Sequence, residues 1–296
     1  MEGDERITAA AGPKSLVAIS DLHVEVPENR AFVEELRPES GEDWLIVCGD
    51  VADLVSDIEW GLRTLVERYA KVIWVPGNHE LWTRPDDPDQ LRGEERYRHI
   101  VELCRGLEIP TPEDPYPVWD GPGGPALVAP LFTLYDYTFT REPGATKEEA
   151  LAQARAAGIV CTDEMLLDPR PHASIDDWCR ERVRFTAERL AEASDGMPSV
   201  LVNHWPLARK LTEPLWYPDF AQWCGTEATA DWHTRYGATA VVCGHLHIPR
   251  TTMVDGVRFE EVSLGYPREW TKRSRRPAVR RILPAGDGAA AGDGAA

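Results

Sequence analysis

The chain has 296 residues and a formal net charge of −18 at pH 7, because 50 Asp and Glu residues outnumber 32 Lys and Arg residues. This acidic balance excludes general nucleic-acid binding and argues against attachment to an anionic membrane surface. The six cysteines have no paired Cys-x-x-Cys spacing and no apolar run is long enough to span a bilayer, so we expect a reduced, cytoplasmic protein with neither nucleic-acid nor membrane partners.

Five short apolar runs, taken in chain order, each end in Asp, Asn or His. The turns that follow them are Asp21-Leu22-His23, Gly49-Asp50-Val51-Ala52-Asp53, Gly77-Asn78-His79-Glu80, Asn203-His204 and Gly244-His245-Leu246-His247. Runs of this length are typical of buried strands, and ligands of open α/β sheets bind at the carboxyl ends of strands. Five of the eight histidines fall in these turns. We therefore expect the turns to converge on one site.

Between the first three apolar runs lie segments with helical patterns, so strands and helices alternate as in βαβ units. Amphipathic patterns predict helices at 27–36 and 56–69, which indicates a parallel sheet core. A long insertion at 81–197 is expected to wall a substrate cleft. Within and after it we predict helices at 91–107, 146–158, 175–194 and 226–236, strands at 116–120 and 126–133, and a hairpin at 250–254 and 257–262.

The turns extend from Asp21 to His247 and are useful only if they converge, so one domain must contain them all. We assign it to residues 14–284. Residues 1–13 and the Gly/Ala/Asp-rich tail 285–296 are predicted to be disordered. Seven basic residues lie between Arg268 and Arg281 and form a local exception to the acidic composition.

The polar residues of these turns are metal ligands by type. Asp, Asn and His without a thiolate suit Mn, Fe or Zn. The predicted ligand set comprises Asp21, His23, Asp50, Asn78, His204, His245 and His247. If Asp50 bridges, the set provides four ligands for each of two cations, and such a pair clamps a phosphoryl group for in-line attack. His79 is left over beside Asn78 and is the candidate proton donor to the leaving oxygen.

The five motifs, in this order and general spacing, resemble those of the calcineurin-like metallophosphoesterases over about residues 16–265. The resemblance implies an α/β fold, a four-layer sandwich of two mixed β-sheets flanked by helices. It implies a dinuclear-metal-dependent phosphoester hydrolase, with the same ligands and with His79 as the proton donor. By the same resemblance, Asp53 and Glu80 are candidates for residues that contact the metal ligands.

Segments outside the metal motifs are similar to the actinobacterial 4′-phosphopantetheinyl hydrolases, namely 27–30, 75–83, 111–120 and 134–137. This resemblance implies a phosphodiesterase that removes 4′-phosphopantetheine from holo acyl carrier protein. The candidate substrate-binding side chains are Trp82, Tyr135, Trp216 and Trp223. The basic run from Arg268 to Arg281 would then attract an acidic carrier protein.

Other functions stay open at this point. A cyclic-nucleotide or general phosphodiesterase and a phosphoprotein phosphatase need the same metal centre, and the sequence defines neither the native metals nor the oligomeric state. The acidic composition counts against a nuclease. A non-catalytic scaffold is disfavoured because the ligand set and His79 are complete.

Overall fold

The computed structural model describes residues 13–142, 144–193, 195–272 and 279–285. The predicted terminal segments 1–13 and 285–296 lie outside the described residues, apart from Pro13 and Ala285. In the described residues the chain forms ten strands, β1 to β10: Leu16–Ile19, Trp44–Val47, Lys71–Trp74, Val118–Trp119, Ala126–Pro130, Ser199–Val202, Ala238–Cys243, Arg250–Val254, Val257–Glu261 and Arg280–Leu283.

The helices lie mostly where the amphipathic patterns predict them. The α-helices α1 to α9 are Pro27–Glu35, Val55–Val66, Asn78–Leu81, Gly93–Gly106, Lys147–Ala156, Asp163–Leu166, Ile175–Ala193, Trp232–Arg235 and Pro267–Trp270. Three 3₁₀ helices span Arg209–Thr212, Pro218–Trp223 and Glu227–Thr229. The helix predicted at 226–236 is therefore divided, because the backbone at Asp231 (φ −102°, ψ 0°) leaves the helical region.

The strands form two mixed sheets. The first has the order β10–β1–β2–β3, with β1, β2 and β3 parallel and β10 antiparallel to β1. The second has the order β4–β5–β6–β7–β9–β8, in which β5, β6, β7 and β9 are parallel. The predicted fold class is confirmed, and the parallel strands place their carboxyl ends together at one rim of each sheet.

Apolar side chains define the layers. One buried cluster joins the facing sides of the two sheets and includes Ile46 of β2 and Val200 of β6. The outer face of the first sheet packs on α1 and α2 through residues such as Leu45 and Ile58, and the outer face of the second packs on α8 through residues such as Val241 and Trp232. Burying both faces of each sheet explains the almost continuous apolar runs in the sequence.

The two rims meet next to the metal motifs. Ser20, at the end of β1, donates its backbone N–H to Val262 O at 3.1 Å, and its carbonyl accepts the N–H of Leu264 at 2.8 Å. This parallel bridge fastens the carboxyl end of β1 to the segment that follows β9. The turns of both sheets therefore face the same volume.

The 81–197 stretch is part of the fold's framework. It supplies β4 and β5 to the second sheet and the helices α4 to α7. The C-terminal strand β10 was not predicted. Within it Ile282 and Leu283 are buried, at 0% and 4% exposure, while the arginines of the same strand belong to the predicted basic run.

Candidate metal centre and active site

The predicted ligands converge at the shared rim. Side-chain ligand atoms lie within 4.8 Å of one another in three groups: Asp21, His23 and His247; Asp21, Asp50 and His204; and His23, Asp50 and His79. Asp21 and Asp50 each belong to two of these groups, and Asp50 is the predicted bridging residue. Asn78 Oδ1 lies 3.1 Å from His245 Nδ1, and the His245 ring lies 5.2 Å from the His204 ring, centroid to centroid.

Two imidazoles turn their Nε2 atoms toward each other. His247 Nδ1–H donates to Glu269 Oε2 at 2.8 Å, which leaves Nε2 to face Asp21 Oδ1 at 3.0 Å and His23 Nε2 at 3.3 Å. A carboxylate that fixes one ring nitrogen and frees the other is the usual support of a metal-binding histidine. Three electron-rich atoms at this separation fit a shared cation.

A second pair has the same character. His204 Nδ1–H donates to the Cys48 carbonyl at 2.8 Å, so Nε2 faces Asp50 Oδ2 at 3.3 Å. Burial lowers the pKa of His204, but the negative charge of Asp50 outweighs burial and raises this pKa to about 9. A negative field that retains a proton at Nε2 also favours a metal cation there.

Buried ring nitrogens without partners complete the fit. His204 Nε2 and His245 Nε2 have no hydrogen-bond partner among the described residues. Burial lowers the pKa of His245 to about 3, so the ring is neutral at pH 7 and keeps a lone pair for a metal. Buried polar atoms are normally paired, and the donor set of carboxylate, amide oxygen and imidazole fits two metal ions.

Backbone conformation marks the same residues. Among the described residues, ten non-glycine residues have positive φ. Five of them belong to the predicted ligand set, with φ between 42° and 71°: Asp21, His23, Asp50, His245 and His247. Each such conformation costs on the order of 1–3 kcal/mol and persists where function requires a side-chain direction.

His79 stands beside the ligands with one nitrogen held and the other directed inward. Its Nδ1–H donates to Asp53 Oδ1 at 2.7 Å, and its Nε2 lies 3.9 Å from Asp50 Oδ2. Burial lowers the pKa of His79, but the charge of Asp50 and the hydrogen bond to Asp53 overcome it and raise the pKa to about 9. Asp53 is anchored in turn by Arg84 Nη1 at 3.0 Å. The ring can therefore carry a proton at Nε2 at neutral pH.

Glu80 connects the turn that carries Asp50 to the turn that carries Asn78. Its carboxylate is fully buried and accepts the backbone N–H groups of Asp50 at 2.9 Å, Val51 at 2.7 Å and Gly77 at 2.7 Å. Burial, followed by the charge of Asp50, raises the pKa of Glu80 to about 7. Glu80 thus fixes the loop that carries Asp50 to the loop that carries Asn78.

Several supporting residues were not found from the sequence. Glu269 holds His247, and Ser263 Oγ–H donates to Asp21 Oδ2 at 2.7 Å. Asp163 accepts a hydrogen bond from Asn78 Nδ2 at 3.0 Å. Glu269, Ser263 and Asp163 belong to no strand-end turn of the kind that identified the ligands.

The predicted substrate-binding aromatics lie in different environments. Tyr135 is fully buried and Trp223 is 2% exposed, so both pack in the core. Trp82 is buried against His79, with ring centroids 3.7 Å apart. Trp216 is 93% exposed. Of these four side chains, Trp216 alone leaves most of its surface accessible to a ligand.

The charged run near the C-terminus is described only in part. Arg273, Arg275 and Arg276 lie outside the described residues. Three arginines of the run already have acidic partners: Arg268 pairs with Glu269 at 3.8 Å, Arg280 with Glu260 at 3.6 Å and Arg281 with Glu39 at 2.8 Å. In the part of the chain that the structure describes, no helix is long and apolar enough to cross a membrane.

Fold and site together define a phosphoesterase. The model of the calcineurin-like phosphoesterase family matches residues 14–249, and the chain belongs to that family. It is a hydrolase that acts on phosphoester bonds.

Two comparisons refine this relationship. The chain is 52% identical over 283 residues to the [acyl-carrier-protein] phosphodiesterase PptH of Mycobacterium tuberculosis, covering 96% of this chain and 87% of that protein. The crystal structure of phosphopantetheinyl hydrolase (PptH) from Mycobacterium tuberculosis has a TM-score of 0.92 and 51% identity, covering 95% of this chain and 100% of that one.

Proposed function

We propose that this chain is a phosphodiesterase that hydrolyses holo acyl carrier protein to apo carrier protein and 4′-phosphopantetheine. The observation that carries the proposal is the 52% identity to an acyl-carrier-protein phosphodiesterase across 96% of the chain. The clustering of Asp21, His23, Asp50, His204 and His247, the contact of Asn78 with His245 and the inward Nε2 of His79 support the chemistry.

We infer that the predicted ligand set holds two metal ions, with Mn and Fe as the expected elements and Zn compatible with the same donors. Asp21, His23, Asp50 and His247 would hold one, and Asp50, Asn78, His204 and His245 the other. When bound, the two ions supply positive charge that orients the phosphoryl group and stabilises its transition state.

A residue of the chain supplies the proton that the leaving oxygen needs. As water adds to phosphorus and the bond to the carrier serine oxygen breaks, that oxygen needs a proton, and His79 Nε2–H supplies it. Asp53 keeps the ring in orientation through Nδ1–H, at 2.7 Å. The tilted Trp82 ring covers one face of His79 and excludes water from it.

A pocket next to the metal centre suits the pantetheine arm. It has a volume of about 420 Å³ and reaches from the predicted ligand His247 to the exposed loop at 215–220, with a lining of Leu215, Trp216, Tyr217, Phe220, Leu246, His247, Ile248 and Glu269. Trp216 and Tyr217 are 93% and 66% exposed. Exposed aromatics beside a catalytic rim are typical contacts for a substrate.

Trp216→Ala should raise KM for holo carrier protein by at least about tenfold, the usual effect of removing an aromatic anchor from an interface. Turnover of bis-p-nitrophenyl phosphate should not change, because that diester has no arm to fill the pocket. Met253→Ala is the matched control, since Met253 is also an exposed apolar side chain, at 44%, and does not line this pocket. Equal effects of Trp216→Ala on both substrates would contradict the assignment.

The function is tested by mass spectrometry of a holo carrier protein incubated with the enzyme and Mn²⁺. We expect loss of the whole phosphopantetheinyl group. Cyclic AMP, bis-p-nitrophenyl phosphate and a phosphopeptide are assayed in parallel. A carrier that stays holo while one of these is hydrolysed rapidly would replace the proposed substrate and leave the phosphoesterase class intact.

A further inference from the structure

Asp163, the first residue of α6, contacts a predicted metal ligand from within the 81–197 stretch. Its side chain is buried, at 1% exposure. Its Oδ1 accepts two hydrogen bonds, from Asn78 Nδ2 at 3.0 Å and from Trp82 Nε1 at 2.7 Å. Its Oδ2 is buried and has no hydrogen-bond partner in the described part of the chain. One oxygen therefore serves both donors.

The bond to Asn78 decides which end of the amide faces the metal centre. An amide oxygen can bind a cation, whereas the NH₂ group only donates hydrogen bonds. Because Asp163 Oδ1 accepts from Nδ2, Asn78 Oδ1 faces the opposite side, 3.1 Å from His245 Nδ1. Without Asp163 the buried NH₂ group would lose its partner, and the reversed amide would become competitive.

The bond to Trp82 acts on the other half of the site. The indole ring lies 3.7 Å from the His79 ring, centroid to centroid, with an interplanar angle of 36°. Since Asp163 accepts the indole N–H, it limits rotation of Trp82 away from His79. Asp163 Oδ1 thus orients both the predicted ligand Asn78 and the Trp82 ring that covers His79.

We propose that Asp163 is a positioning residue of the metal centre, a hydrogen-bond acceptor that presents the Asn78 oxygen to a metal ion and holds Trp82 against His79. The proposal rests on metal binding at Asn78, which is part of the proposed function, and is independent of the carrier substrate. Because Asp163 Oδ1 accepts both hydrogen bonds, a neutral side chain that keeps this oxygen should fill the same role.

The test compares Asp163→Leu, which removes the acceptor at similar volume, with Asp163→Asn, which keeps it. We expect Asp163→Leu to weaken Mn²⁺ binding to the metal-free protein by about 10–100-fold, the usual effect of losing a group that orients a metal ligand. Its kcat for bis-p-nitrophenyl phosphate, measured with saturating Mn²⁺, should fall by more than its KM rises. Asp163→Asn should restore both. Titration calorimetry with Mn²⁺ gives the affinity without any substrate.

Glu164, the next residue of α6, provides the matched control. Its Oε1 accepts from Tyr137 OH at 2.9 Å and from Trp223 Nε1 at 2.8 Å, and among the described residues it contacts no predicted ligand. Glu164→Leu should lower thermal stability and leave Mn²⁺ affinity unchanged. Asp163→Ser, too short to reach either donor, repeats the test if the Leu variant does not fold.

Two outcomes would overturn the role of Asp163. One is an Asp163→Leu or Asp163→Ser variant that binds Mn²⁺ as tightly as the unmodified chain. The other is a loss of affinity in Glu164→Leu as large as that in Asp163→Leu. A failure of the carrier-protein assignment would change neither result, because Mn²⁺ and a small diester are the probes.

Discussion

Asp50→Asn is expected to lose its metal ions and its turnover together. Asp50 Oδ2 lies 3.3 Å from His204 Nε2, and the carboxylate shares two of the ligand groups. Burial raises the pKa of Asp50, but the charges of His204 and His79 outweigh burial and hold this pKa well below the usual value. The group is therefore a carboxylate at neutral pH, and an amide would remove the charge shared by both metal positions.

The loss should exceed the roughly 10–100-fold that follows when a group supporting a ligand is removed. Elemental analysis of purified protein gives the metal content per chain, and hydrolysis of bis-p-nitrophenyl phosphate gives the turnover. We expect about two metals in the unmodified chain, as two four-ligand positions sharing one carboxylate require, and near zero in the variant.

Asp43→Asn is the control for burial of a carboxylate. Asp43 is 2% exposed and accepts backbone N–H groups from Ser15, at 2.8 Å, and Ser40, at 2.9 Å, away from the metal centre. This variant should lose stability and keep its metals. An Asp50→Asn chain that retains two metals and normal turnover would disprove the bridging role.

The convergence of the predicted ligands could be predicted because its signal is local. A buried strand followed by a tight turn with Asp, Asn or His is visible within ten residues, as at Trp44–Val47 and Asp50. Parallel pairing then brings such turns together without further information. The same logic identified His79, since it follows Asn78 directly.

The supporting residues could not be predicted because their partners are distant in sequence. Asp163 lies 85 residues from Asn78, and Ser263 lies 242 residues from Asp21. An isolated acid or serine at the end of an element has no pattern of its own. Strand β10 was not predicted for a similar reason, since it is specified by pairing with β1 rather than by a long apolar run.

Aromatic residues show a second limit of local reasoning. Trp216 and Trp223 lie seven positions apart in one loop, yet one is 93% exposed and the other 2%. Trp223 Nε1 donates to Glu164 at 2.8 Å, and this tertiary hydrogen bond keeps the ring inside. Composition alone does not separate a substrate wall from a core contact.

His79→Gln should retain both metals and slow hydrolysis of the carrier protein by about 10²–10⁴-fold, the usual contribution of general acid catalysis. The inward Nε2 and the Asp53 bond to Nδ1 at 2.7 Å motivate this role. An alkoxide leaving from serine needs a proton, whereas p-nitrophenolate leaves readily without one. The loss should therefore shrink for bis-p-nitrophenyl phosphate, measured with the same enzyme and metal.

His233→Gln is the matched control, because His233 is also buried and its Nε2–H donates to an aspartate, Asp255, at 3.0 Å. It belongs to none of the ligand groups, so its replacement should leave the ratio of the two substrates unchanged. If His79→Gln slowed both substrates equally with its metals in place, His79 would act by binding or orientation. A loss of kcat that is confined to the poor leaving group indicates that a proton is delivered as the bond breaks.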